Sequence, residues 1–168
     1  IKNISNPAST YIFTTSEDVA GNVWASIANT GLLRISGKDN SVSVFSIING
    51  LSSNKIKCIA QDNEGNLLFG TVGEGVDVFS GETFVSHNKK NGLNDNQVWA
   101  ICEDDEKNIW FGTQFGLNKL SHENLEIITR GPSLKALPNN NNLFYNYTYK
   151  NGFQGVFCNQ KALTEDLN

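Results

Sequence analysis

One feature outweighs every other in this chain: a long stretch of it occurs twice. Residues 50–71 read GLSSNKIKCIAQDNEGNLLFGT, and residues 92–113 read GLNDNQVWAICEDDEKNIWFGT. At an offset of 42 residues the two agree in Gly-Leu, an Asn, a branched aliphatic, an Asp, an Asn before an apolar pair, and a closing Phe-Gly-Thr. A repeat of this length has to be interpreted before any local pattern, because each unit buries its apolar face against the next. A weaker copy spans residues 18–35, where Asp18, Gly21, Asn22 and Trp24 stand in the order of Asp62, Gly65, Asn66 and Leu68. A further copy begins at Asn151-Gly152-Phe153, with Asp166 in place to open its acidic turn.

Each unit reads as antiparallel strands. Lys55 to Gln61 and Gln97 to Glu103 are β-prone runs of strand length. An Asp-led turn follows, with Gly65 in one copy supplying the positive φ that such turns favour. Asn66 to Thr71 and Asn108 to Thr113 return as second strands, a glycine loop leads to a third, and Thr83 to His87 offers a fourth. Four strands in about 40–45 residues is the period of a β-propeller blade. The competing arrangement is a sandwich of similar strands. No segment carries helical periodicity long enough for a crossover helix, which speaks against a parallel α/β sheet. The expected class is all-β, a partial β-propeller of about three to four four-stranded antiparallel blades cut from a larger ring, with seven blades as the working number. The expected boundaries are 7–48, 49–90, 91–150 with an irregular insertion, and 151–168 as the start of a further blade.

The pattern NGLxxNxVxxIxxDxxxNIWFGTxxGLxxL in these copies closely resembles the two-component regulator propeller repeat. The resemblance implies the extracytoplasmic sensor region of a bacterial hybrid two-component histidine kinase, hence a periplasmic position and a role in signal transduction. Three positions depart from the pattern. Lys107 replaces the turn glycine, Ser26 replaces the second-strand glycine, and Leu68 replaces the tryptophan. Residues 121–149 leave it almost entirely.

Composition narrows the function classes. The chain has no methionine, so its natural start is expected elsewhere, and it holds no apolar run of membrane-spanning length. A net charge of −4 with scattered Lys and Arg argues against nucleic acid, which selects a basic face. Three and a half blades leave apolar flanks and strand edges that invite self-association.

Catalytic and metal sets are not expected. Cys58, Cys102 and Cys158 offer no metal-ligand spacing and read as small buried residues. His87 and His122 have no carboxylate or cysteine at ligand spacing and read as solvated. Glu103-Asp104-Asp105-Glu106 suggests paired carboxylates or calcium, but its Asp recurs in every copy as a turn former. Trp24 and Trp110 read as wedges between blades, with Gly70 and Gly112 leaving room for a neighbouring ring. No cofactor is expected.

Binding residues are sought where the copies disagree, on the loops that enter the first strand and join the second to the third. Amides bond sugar hydroxyls and rings stack on apolar sugar faces. The candidates are therefore Asn54, Lys55, Glu74, Asn96, Gln97, Trp99 and Phe115, with Tyr147 from the tyrosine-rich stretch before residue 150. The structural alternative for that stretch makes residues 143–150 an outer strand. The expected function is ligand sensing by an oligosaccharide-binding propeller. The alternatives are a propeller enzyme acting on polysaccharide in the manner of a lyase, for which the chain carries only Arg34 and Arg130 as arginines, and a protein-interaction scaffold.

Overall fold

The computed structural model describes residues 11–129 and 143–152. Three four-stranded antiparallel sheets follow one another along the chain. The first holds β1 (Ile12–Glu17), β2 (Val23–Ile27), β3 (Gly31–Ile35) and β4 (Val42–Phe45). The second holds β5 (Ile56–Gln61), β6 (Leu67–Thr71), β7 (Val76–Phe79) and β8 (Phe84–His87). The third holds β9 (Val98–Glu103), β10 (Ile109–Thr113), β11 (Gly116–Leu120) and β12 (Phe144–Tyr147), with helix α1 (His122–Thr129) between its last two strands. Each sheet runs in sequence order, so every unit is an up-and-down blade. The first strands β1, β5 and β9 pack side by side, which makes them the innermost edges of a β-propeller arc.

The repeated residues account for the repeated geometry. Ser46 and Asn88 each cap a single 3-10 turn that ends at a glycine in the left-handed region, Gly50 at φ 101° and Gly92 at φ 107°. Asn49 and Asn91 close the turn by accepting from the cap residue's backbone N–H, and Leu51 and Leu93 then drop into the core. That is the physical content of the Asn-Gly-Leu motif. Third strands are stitched to the same loops: Asp77 Oδ2 accepts from Ser52 N at 3.0 Å, and Asn118 Oδ1 from Asn94 N at 2.8 Å.

Between blades the core is aromatic on one side and aliphatic on the other. Trp24, 1% exposed, sits among Phe45, Phe69 and Phe79 at ring separations of 5.4 to 5.7 Å. Leu68 stands where Trp24 does, and the second boundary is filled by Val76, Val78, Val98, Ile109 and Phe111 together with Leu125 and Ile128 of α1. The helix, unforeseen from sequence, thus brings apolar volume to the boundary that lacks a tryptophan. His87, expected in solvent, is buried there: its Nε2 lies 3.0 Å from the Ile128 carbonyl oxygen, and burial lowers its pKa.

Two further expectations are corrected. The space at Gly70 is taken by no ring. A Cβ there would meet Cys58 Sγ at 2.3 Å and Val98 Cγ1 at 2.9 Å, so the glycine admits the next blade's first strand. Ser26, in the matching place, donates from Oγ to the Ile56 carbonyl at 2.7 Å. Trp110 is not wedged between described blades. It is half-buried on the far flank of the third blade, against Tyr147 at 5.5 Å and Lys119 Nζ at 5.4 Å. Within residues 143–150 the structural alternative holds for Phe144–Tyr147, which form β12 as the outermost strand, while Tyr149 already begins a 3-10 turn. Cys158, Arg130, Asp166 and the loop at 154–156 lie outside the described residues.

Candidate ligand-binding site

The aspartates that lead the acidic turns are committed to architecture. Asp18 Oδ1 accepts from the N–H groups of Ala20 and Asn22, and its Oδ2 from the Trp24 indole at 2.8 Å. Asp104 repeats this with Asn108 and with Trp110 at 2.7 Å. Burial raises the pKa of each carboxyl, but these hydrogen bonds outweigh it, and both end below the ordinary value of 3.8. The turns also latch neighbouring blades, since Val19 N donates to Gln61 Oε1 and Asn63 N to Glu103 Oε2. Burial pushes the Cys58 thiol up to about 12, which keeps it protonated at neutral pH. Among the described residues no group of three or more His, Cys, Asp and Glu converges as a metal site.

The opposite face is where chemistry gathers. Gly73 N and Gly75 N, of the β6–β7 loop, both donate to the Asn96 carbonyl at the mouth of β9. This stitch carries Glu74 over to Asn96 and Gln97. Val72 N donates to the Lys55 carbonyl, bringing Asn54 and Lys55 to the same loop. The Gln97 amide meets Gln114, next to Phe115, which is 53% exposed. Seven of the eight sequence-expected residues therefore gather at the inner part of one face. The eighth, Tyr147, stands at the same end of the third sheet, paired with Leu117 beside the β10–β11 turn, but on the outermost strand, three strands and about 14 Å from Trp99 at ordinary strand spacing, with its ring against Trp110.

Within that set the roles differ. Asn54 Oδ1 and Asn96 Oδ1 each accept from the backbone N–H seven residues earlier, Ile47 and Lys89, both at 2.8 Å. They hold loops in place, as does Asn94, whose Oδ1 accepts from Thr113 and Asn118. Lys55 and Glu74 are exposed, and Gln97 and Trp99 are half-buried.

Two residues escaped the sequence reading. In each blade the register between first and second strands slips at one point, between Ile12 and Thr14, Ile56 and Cys58, and Val98 and Ala100. The extra residues are Phe13, Lys57 and Trp99. Their first strands are the free edges of their sheets, and the bulge turns the side chain out of the pleat along that edge. Lys57 Nζ lies 3.9 Å from the Phe13 ring centroid and 5.8 Å from that of Trp99, so one ammonium spans two rings from the neighbouring blades. The signal was present in the repeat columns, where 13, 57 and 99 align.

The two component regulator propeller family matches this chain at residues 50–73 and 92–115. No curated protein matches it. Among solved structures, the extracellular domain of a B. thetaiotaomicron protein named as a hybrid two component system is 21% identical, with a TM-score of 0.58, over 67% of this chain and 17% of that one. A streptogramin B lyase is 14% identical, with a TM-score of 0.60, over 87% of this chain and 43% of that one. A catalytically inactive virginiamycin B lyase from Staphylococcus aureus with quinupristin is 14% identical, with a TM-score of 0.54, over 72% and 41%. At these identities the likeness establishes the propeller fold, and the chain spans less than half of each structure.

Proposed function

Starting from a chain that carries two-component regulator propeller repeats, we propose that it is ligand-sensing propeller from the extracytoplasmic, periplasmic part of a bacterial two-component sensor, and that it recognises an oligosaccharide. The observation that carries this reading is the shared face of Lys55, Glu74, Gln97, Trp99 and Phe115. Exposed and half-buried rings beside amides and charged groups suit a flexible polyol, which needs stacking for its apolar faces and donors and acceptors for its hydroxyls. Among the described residues no helix is long and apolar enough to cross a membrane. Ligand binding on such a face would act by shifting the relation between two sensor chains, each change limited by the ligand's differential affinity for the two arrangements.

A lyase-type reading has the fold likeness in its favour. Among the described residues neither histidine stands on the loop face: His87 is buried against α1, and His122 begins that helix. Calorimetric titration of neutral and acidic oligosaccharides against the 168-residue chain tests the proposal. Binding that weakens in Trp99→Ala and Phe115→Ala, with no shortening of the glycan, is the expected result. Release of unsaturated sugar ends would replace it with the lyase reading, and absence of any glycan binding would overturn it.

A further inference from the structure

We propose that the inner edge of the arc, where Lys57 lies between Phe13 and Trp99, binds the acidic group of an anionic glycan, one bearing carboxylate or sulfate. This rests on the oligosaccharide reading and narrows it to a ligand class and a place. The argument begins with the bulges. A bulge sacrifices ladder regularity to re-aim a side chain, and here all three blades carry one at the same register on the edge facing the centre of the arc. The residues on either side of it keep to a structural pattern: Ile12, Ile56 and Val98 are branched aliphatics, and Thr14, Cys58 and Ala100 are small. Between these two flanking columns the bulged residue changes character, from Phe to Lys to Trp. A position that the fold re-aims identically and the sequence fills differently is one where contents, rather than packing, are selected.

The contents define the chemistry. An ammonium held over two ring faces is a point charge whose stem has little freedom left to lose on binding. The rings flanking it offer the apolar surfaces on which sugar rings stack, and Phe13 remains 39% exposed. Lys55, two residues earlier on the loop that enters β5, adds an exposed positive charge beside the half-buried Lys57. On the neighbouring loops Asp95 is buried with Oδ1 accepting from Gln97 N, and Glu74 stands out at a loop tip. In a chain of net charge −4, Lys55 and Lys57 place two cationic residues on one short stretch at the entry to β5. Aromatic–cation–aromatic order along successive blades matches an acidic sugar flanked by stacked neighbours.

The test compares oligogalacturonides, sulfated glycosaminoglycan oligosaccharides and neutral cello-oligosaccharides of equal length by titration calorimetry on the 168-residue chain. One acidic series should bind roughly tenfold or more tighter than the neutral one, with affinity falling as salt rises. The two acidic arms decide between carboxylate and sulfate. Lys57→Gln should remove the preference for acidic glycans in a variant that still melts cooperatively. Lys57→Arg should keep the preference, and Trp99→Ala should weaken both series. Neutral glycans binding as tightly as acidic ones, or Lys57→Gln leaving acidic binding unchanged, would overturn this inference and leave the oligosaccharide reading standing. Failure of every glycan to bind would remove both.

Discussion

The Trp110 indole nitrogen donates to Asp104 Oδ2 at 2.7 Å, across a turn of six residues, and Trp24 makes the same bond to Asp18 at 2.8 Å. The acidic turn and the tryptophan behind it are one device: the carboxylate gathers backbone N–H groups on one side and pins the indole on the other. The surroundings of the two rings differ. Trp24 is enclosed by the second blade, whereas Trp110 is half-buried on the outer flank. Trp24→Ala should therefore cost about 3–5 kcal/mol. Trp110→Ala should cost no more than about half of that, mostly through the lost bond to a charged acceptor. Urea unfolding of both variants in the 168-residue chain checks the ratio, and equal costs would mean that Trp110 is covered as fully as Trp24.

The same device gives a sign for acid sensitivity. Asp18 and Asp104 have folded pKa values below the ordinary carboxylate value despite the opposing effect of burial. A depressed folded value contributes stability that is fully present above the unfolded pKa of about 3.9 and is lost as pH falls through the folded one. Thermal melts should thus decline below about pH 4, and more shallowly in the double variant Asp18→Asn, Asp104→Asn. A wild-type melting temperature that is flat through that window would contradict the assignment.

What could be read from sequence follows from how local each cause is. The four-stranded blades were legible because turn chemistry at Asp62, Gly65 and Asn66 and strand alternation act within a few residues. Asn54, Asn96, Gln97 and Trp99 could be placed on one face because they recur at fixed distance from the Asn-Gly-Leu turn. Helix α1 was not legible: its eight residues are held by burying Leu125 and Ile128 at a boundary that Leu68 leaves short of volume, a tertiary cause. His87 was misjudged for the same reason, since the helix that buries it arrives from 41 residues downstream. Phe13 and Lys57 were missed because a bulge breaks the period on which strand reading depends.

Asp77 offers a test of burial with the opposite sign. It is fully enclosed, and burial raises its pKa in spite of hydrogen bonds from Ser86 and Ser52. A raised folded value makes the ionised form the unfavourable one. The associated stability is present below the unfolded pKa and is lost as pH rises through the folded value. The third blade already carries the neutral solution, with Asn118 at the matching position and bonded to the same loop. Asp77→Asn should accordingly raise the melting temperature at pH 7 relative to wild type, with a smaller advantage near pH 4. Lower stability of the variant at pH 7 would show that the ionised carboxylate is the better partner for Ser52 and Ser86.

Lys107 holds the turn position that glycine occupies in the other blades, and it does so at φ 66°, in the left-handed region of Gly21 at 76° and Gly65 at 87°. For a residue with a Cβ that conformation costs about 1–2 kcal/mol. Glycine escapes the cost but adds disorder to the unfolded chain, roughly 0.5–1 kcal/mol. The Lys107 ammonium also lies 3.6 Å from Glu103 Oε1 with its side chain half exposed, a pair worth little at the surface. Comparing Lys107→Gly with Lys107→Ala cancels that pair, because both variants lose it. The glycine variant should be the more stable of the two by about 0.5–1 kcal/mol, read as a shift in urea midpoint at constant slope. Alanine matching or exceeding glycine would show that the left-handed conformation at residue 107 carries no such cost.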